Sequence, residues 1–236
     1  MKTKQPLLSL IIPVYNERAR LISGISTVFS YLKRQSYTWE LLIVDDGSDI
    51  PVKKFLKNLH LITVFRLQKN SGKGAAIRYG VTKAKGKFIV FCDVDLSVSI
   101  RALAPMMREL RRHPMVIASR RLPKSRIVVH QPFIRECSGR IFTAVSNILC
   151  NTAVADVTCG FKGYHRDTAK LLFGKSRINR WVFDTEIVFF ARKFGIAVFE
   201  MPVDWVDKAG SKVKPWDSIL SIIDVIKIRL YDMRSV

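Results

Sequence analysis

Two carboxylates one residue apart, Asp93 and Asp95, close an apolar run from Phe88 to Cys92. Paired hard oxygen ligands suit a divalent cation such as Mg2+ or Mn2+, normally shared with phosphate oxygens. Acids end two other apolar runs: Trp39 to Val44 leads into Asp45-Asp46-Gly47-Ser48, and Leu7 to Val14 leads into Tyr15-Asn16-Glu17. Between them, Gly72-Lys73-Gly74 opens a helical pattern. Free N–H groups and one cation at a helix N-terminus suit a phosphate. The spacing is neither that of a P-loop nor the G-x-G-x-x-G of a dinucleotide fold. Taken singly, each motif has a plainer use: acidic pairs cap strands, Asp-Gly-Ser makes turns, and glycines permit tight connections. Together they describe nucleotide binding through a metal and acids, with a lysine loop suited to a phosphate.

Those groups converge only if the strands run side by side. After the strand at Leu7–Val14, where Pro13 is expected to stop the ladder, a helix is expected from Arg18 to Lys33. A strand follows at Trp39–Val44, then a short basic helix at Val52–Leu59 and a strand at Leu61–Leu67. The pattern continues with a helix at Ala75–Ala84, the strand Phe88–Cys92, a helix at Ile100–Arg112 and a strand at Met115–Ser119. Strand–helix alternation at this spacing predicts an α/β fold with a mostly parallel, doubly wound sheet flanked by helices. In such a sheet Pro13–Glu17, Asp45–Ser48 and Asp93–Ser97 open on one edge, where ligands bind.

The character changes beyond residue 119. A basic segment, Arg120 to Arg140, enters a helix with Ile134, Cys137, Ile141, Val145 and Ile148 in one stripe. Cys159–His165 reads as a strand or turn, Val182–Phe194 as a helix and Ala197–Val203 as a last strand. Trp216 to Tyr231 forms a broad amphipathic helix. It reads either as a core helix or as one lying in a lipid headgroup layer with Trp216 and Tyr231 as anchors. The expected division is a catalytic unit over 1–214, with halves about 1–119 and 120–214, and an amphipathic helix over 215–236.

Forty Lys and Arg against nineteen Asp and Glu give a net charge of +21, which favours anionic partners. No nucleic-acid motif is recognisable, so phosphorylated substrates and an anionic membrane surface are the partners to expect. No segment approaches a membrane span and MKTKQP lacks a signal-peptide core, so a protein on the cytoplasmic face of a membrane is expected. Cys92, Cys137, Cys150 and Cys159 lack metal-ligand spacing and read as free thiols.

PVYNE (13–17), VDDGS (44–48), NSGKGAAIRYG (70–80), DVD (93–95), DVTCGFKGYHR (156–166) and WVFDTE (181–186) occur in one order. This series resembles the inverting family 2 glycosyltransferases of GT-A fold, over about Leu8 to Tyr231. Within the family the chain is most similar to the polyprenyl-phosphate sugar transferases, especially the dolichyl-phosphate β-glucosyltransferases. GSKVKPW (210–216) also looks like the glucosyl branch. The resemblance implies a nucleotide-sugar donor, a polyprenyl phosphate acceptor and Mg2+ or Mn2+. It places Pro13, Tyr15, Glu17 and Asp46 around the nucleoside, Lys73 and Arg78 near the phosphates or ribose, and Asp93 and Asp95 at ribose and metal. Arg120, Arg135 and Arg140 correspond to arginines for the acceptor phosphate, and Asp156, Asp184 and Glu186 to catalytic positions near the sugar. One departure is Ser97, where mannosyl relatives often carry a glutamine metal ligand; this favours a UDP-sugar over GDP-mannose.

A phosphate monoester is already largely ionised near neutrality, its second pKa being about 6. Transfer to it needs little general base, so Asp156 suits an orienting role as well as a basic one. Transfer to a soluble or polymeric hydroxyl would instead require a true base. A basic membrane-binding module with a degenerate site is the alternative outside enzymes. Oligomeric state leaves no trace in the sequence.

Overall fold

The computed structural model describes residues 5–56, 61–208 and 215–233. Its centre is a seven-stranded sheet in the order β3-β2-β1-β4-β7-β5-β8. Strands β1 (Leu8–Val14), β2 (Trp39–Asp45), β3 (Ile62–Arg66) and β4 (Phe88–Cys92) are parallel. They are linked through helices α1 (Arg18–Lys33) and α2 (Lys73–Lys83). β1 is buried along its whole length because both faces are covered. Leu8, Leu10, Ile12 and Val14 face a core with Leu21, Ile25 and Val28 of α1, while Ile11 faces Ala76, Ile77 and Val81 of α2. A strand buried on both faces reads as a continuous apolar run, which is what the sequence displays.

The expected stop at Pro13 does not occur. The β1–β2 ladder continues through Pro13 opposite Val44 to Val14 opposite Asp45. The β1–β4 ladder has ended by then, at Ile11 opposite Phe91, so the missing N–H interrupts no pairing on that side.

The second half inserts an antiparallel element. Helix α3 (Leu103–Glu109) leads to β5 (Met115–Ser119), then a short β6 (Arg126–Val129) and the long helix α4 (Phe133–Cys150). β7 (Phe161–His165) then runs antiparallel to both β4 and β5, and β8 (Val198–Pro202) pairs parallel with β5. Helices α5 (Arg166–Lys175) and α6 (Phe183–Lys193) precede β8, and β9 (Asp204–Val206) pairs with β6 in a separate two-stranded ribbon. The sequence patterns did not separate α5, β6 and β9 from loops. The basic segment at 52 is a 3-10 turn over Val52–Lys54, and residues 57–60 lie outside the described residues.

The last helix, α7 (Pro215–Met233), packs on α4 and α6. Val225 and Ile228 are buried there, whereas Ile222, Ile223, Ile226 and Leu230 are exposed. α4 behaves similarly. Its inward face is small and polar, with Thr143, Ser146 and Cys150 buried, while Ile134 and Ile148 are each 80% exposed. Trp216 and Tyr231, and residues 209–214 with most of GSKVKPW, lie outside the residues whose side chains are described.

α5 is anchored by Phe173, whose ring stands edge-on to Tyr164 of β7 at 5.6 Å. Replacing Phe173 with Ala should cost about 3–5 kcal/mol, the usual penalty for deleting a buried aromatic ring. Urea unfolding should show this as a lower midpoint with an unchanged slope.

Candidate active site

The acids at the end of β4 sit on a tight turn. The Leu96 N–H donates to the Asp93 carbonyl at 3.2 Å, and the Ser97 N–H donates to Asp95 Oδ1 at 2.9 Å. Leu96 adopts φ +53°, a left-handed conformation that costs a residue with a Cβ about 1–2 kcal/mol. Its side chain packs over Gly24 of α1, and the turn is fastened on its other side by the Val206 N–H donating to the Ser97 carbonyl at 3.0 Å. Asp93 is pressed against the start of β7. Its N–H donates to the Gly160 carbonyl at 3.1 Å, and a Cβ on Gly160 would lie only 1.9 Å from Asp93 Oδ2. Lys73, at the start of α2, reaches Asp93 Oδ1 at 2.6 Å. Beside Asp95 a cavity of about 330 Å³ opens, with Arg20 and Lys208 among its walls.

The loops after β1 and β2 are stitched together next to this turn. Asn16 N–H donates to Ser48 Oγ at 3.0 Å, and the Asp49 N–H donates to Asn16 Oδ1 at 2.9 Å. Glu17 pairs with Arg20 at 3.0 Å, Tyr15 is half-buried and Pro13 is buried within β1. Asp46 is engaged with the loop that precedes α2: its two oxygens accept the N–H groups of Ser71 and Gly72, both at 2.8 Å. Burial pushes its carboxyl above the ordinary value, and those two N–H groups offset only part of that push. In this arrangement Asp46 shapes the Lys73 loop.

A second cluster lies at the arginine-rich segment. Arg120 follows β5 and holds Asp156 in a two-pronged ion pair, Nε to Oδ2 at 2.6 Å and a terminal nitrogen to Oδ1 at 2.8 Å. The Arg120 N–H and Thr158 Oγ1 also donate to the same carboxylate. Burial alone would raise the Asp156 pKa; the bonds from Arg120 outweigh it and hold the carboxyl down at about 2. A cavity of about 130 Å³ adjoins this pair, lined by Arg120, Arg121, Arg140, Glu136 and Trp205 among others. Arg140 pairs with Glu136 at 2.9 Å, whereas Arg135 does not line the cavity and stands 3.9 Å from Asp207. Arg121 and Trp205 are therefore additions to the expected set. Arg121 donates to Thr143 Oγ1 and the Ala155 carbonyl, and the Arg120 guanidinium lies 5.4 Å from the Trp205 ring centre.

The remaining expected residues lie deeper. Glu186 of α6 faces the loop after α5 and accepts from Ser176 Oγ at 2.6 Å and from the N–H groups of Arg177 and Ile178. Arg78 reaches the same loop, donating to the carbonyls of Ser176 and Ile178 and to the Asn179 side chain. Both shape the loop against which α2 begins. The Glu186 carboxylate thus accepts three hydrogen bonds from that loop, and the Arg78 guanidinium donates three to it. Asp184 is buried and paired with Lys162 at 2.5 Å. Among the described residues no group of three or more His, Cys, Asp and Glu could hold a metal. Asp93 and Asp95 offer two hard oxygen ligands on one turn. Two carboxylates suit an ion that completes its shell with water and diphosphate oxygens.

The profile of the family described as glycosyl transferase family 2 matches residues 9–173. The chain belongs to that family. It is a glycosyltransferase. Among curated proteins it is similar to the human dolichyl-phosphate beta-glucosyltransferase, 33% identical over 97% of this chain and 76% of that one. The Dictyostelium discoideum enzyme of the same name is 30% identical over 97% and 77%. Among solved structures, glucosyl-3-phosphoglycerate synthase from Mycobacterium tuberculosis, in complex with Mn2+, UDP and its product, superposes with a TM-score of 0.70 at 16% identity. That superposition covers 96% of this chain and 79% of the other. Mannosyl-3-phosphoglycerate synthase from Rubrobacter xylanophilus gives 0.71 at 16% identity, covering 98% and 76%. At that identity the likeness establishes the GT-A fold.

Two measurements follow from the geometry. Asp156 has a folded pKa of about 2 against an ordinary 3.8, so its pairing stabilises the fold fully above pH 4 or so and is lost as pH falls toward 2. Asp156→Asn should flatten the fall in melting temperature over that window, measured against the parent chain. Gly160→Ala should force the Asp93 carboxylate or the start of β7 to shift and cost about 1–3 kcal/mol, the usual penalty for overpacking, read as a lower urea midpoint. An unchanged midpoint would refute the close packing of Asp93 on Gly160.

Proposed function

We propose that the protein transfers glucose from UDP-glucose to a polyprenyl phosphate of the dolichyl type, with inversion at C1. The observation that carries this reading is the junction between the two clusters. The Asp93–Ser97 turn is tied through Val206 and Trp205 to the ribbon that walls the arginine cavity, and Arg120 joins that cavity to the same sheet edge. Donor acids and acceptor arginines thus flank one place where a sugar can change partners. The similarity to dolichyl-phosphate beta-glucosyltransferases supports dolichyl phosphate as acceptor and glucose as the sugar, and Ser97 in place of a longer amide ligand supports a UDP donor.

Asp93 and Asp95 would hold Mg2+ or Mn2+ together with the diphosphate. The ion supplies Lewis-acid stabilisation of the charge that grows on the leaving phosphate. Lys73 adds a fixed cation on the same side. Arg121 and Arg140 hold the acceptor phosphate, whose oxygen attacks C1 from the face opposite the departing UDP, so an α-linked donor gives a β-linked product. Asp156, locked to Arg120 and strongly acidic, orients that arginine and takes no proton.

The surroundings suit a lipid acceptor. No helix among the described residues is long and apolar enough to cross a membrane. Phe133, Ile134, Ile141 and Ile148 are exposed instead on α4, the helix that carries Arg140, and Ile222, Ile223, Ile226 and Leu230 are exposed on α7, which packs on α4. Such a face lies well in the headgroup layer, where each suitably placed Lys or Arg adds about 1 kcal/mol on an anionic leaflet. The reading places the enzyme peripherally on the cytoplasmic face of a membrane.

The test is transfer of labelled glucose from UDP-glucose to polyprenyl phosphate with Mg2+ or Mn2+, followed as label extracted into organic solvent. EDTA should abolish it, and Asp95→Ala should lower kcat by about 10²–10³-fold, the size of losing one electrostatic stabiliser. Arg121→Ala should chiefly raise KM for the lipid phosphate. Label that survives EDTA and Asp95→Ala removes the metal from the mechanism, and label found only on a soluble hydroxyl acceptor removes the lipid.

A further inference from the structure

Behind the site lies a buried cation to which the transfer chemistry assigns no task. Lys162 of β7 is 0% exposed, and its ammonium lies 5.6 Å from the ring centre of Phe91. It donates to the Cys159 carbonyl at 2.7 Å and to Asp184 Oδ1 at 2.5 Å. A buried ion pair contributes little to stability, since an apolar pair of similar volume commonly does as well or better. Its presence calls for a reason other than packing.

The neighbours supply one. Asp184 stands in the first turn of α6, and α2 begins directly against it: a Cβ on Gly74 would lie 2.7 Å from the Phe183 Cβ. Lys73, one residue before Gly74, therefore sits between two acids. It contacts Asp93 at 2.6 Å and also feels the charge of Asp184. The row reads Asp93, Lys73, Asp184, Lys162, with alternating sign from the mouth of the site to the core.

We propose that Lys162 is a positioning residue: by neutralising Asp184 it leaves Lys73 on Asp93, where the donor diphosphate arrives. Without Lys162, Asp184 becomes an uncompensated buried charge whose strongest remaining attraction is Lys73. The lysine is then drawn inward, and Asp93 loses the partner that holds its carboxylate. The inference rests on the reading of Asp93 and Asp95 as the donor-metal site.

The experiment compares Mn2+-dependent UDP binding by calorimetry in the parent chain, Lys162→Met, and Lys162→Met with Asp184→Asn, with melting curves for all three. Lys162→Met should weaken binding by about 10- to 100-fold. The double variant removes both charges of the inner pair, and binding should return to within about threefold of the parent, a coupling that independent sites do not show. A folded Lys162→Met protein that binds like the parent overturns the proposal, and so does a folded double variant that stays as weak as the single one. If Lys162→Met does not fold, the double variant decides alone: near-parental binding supports the proposal and a loss beyond about tenfold refutes it. Absence of Mn2+-dependent UDP binding in the parent chain itself is a different result. It overturns the donor-site reading, and this inference with it.

Discussion

One strand running against its neighbours decides where the chemistry can happen. β7 lies between β4 and β5 and antiparallel to both, so its first residue, Phe161, pairs with the last residue of β4, Cys92. The segment leading into β7, Asp156 to Gly160, is thereby delivered to the edge where β1, β2 and β4 end. A parallel strand in that place would have sent the same segment to the opposite edge, about 15 Å away at 3.3 Å per residue. The contact of Asp93 with Gly160, the grip of Asp156 on Arg120 and the burial of Lys162 all follow from that reversal.

The second regularity is that acids in the site meet their partners before any ligand arrives. Asp93 has Lys73, Asp156 has Arg120, Asp184 has Lys162, and Asp45 has Arg66. Glu200 accepts the N–H groups of Ala155 and Asp156 and fixes the loop that carries Asp156. In a chain of net charge +21 such pairing is not needed to balance the total. Its effect is geometric: charged groups held by two or three bonds lose little freedom when substrate binds, which is the basis of electrostatic preorganisation.

Much of this was legible in the chain. The parallel strands announced themselves as apolar runs because both of their faces are covered, and their acid-tipped ends named the edge. β6 and β9 were not legible, since they are short, largely exposed and paired with each other across the chain rather than with neighbours in sequence. α5 follows β7 without a loop or a capping side chain, so nothing marks its start. Within the site, residue type revealed which groups were polar but not which way they faced. Asp46, Arg78 and Glu186 belong to the motifs, and no spacing rule foretells that their hydrogen bonds run to the loops that precede α2 and α6. Trp205 and Arg121 were missed for the converse reason: a ribbon tryptophan and one arginine of an adjacent pair acquire a role only when the cavity closes around them.

The outward isoleucines of α4 have a practical consequence. A helix that turns Thr143 and Ser146 inward and Ile134 and Ile148 outward has its amphipathicity reversed relative to an ordinary surface helix. In plain buffer such a face favours self-association, because contiguous exposed apolar patches are what aggregating surfaces share. Handling of the purified protein should therefore depend on amphiphile: mild detergent or lipid nanodiscs should keep it monodisperse where salt and glycerol do not.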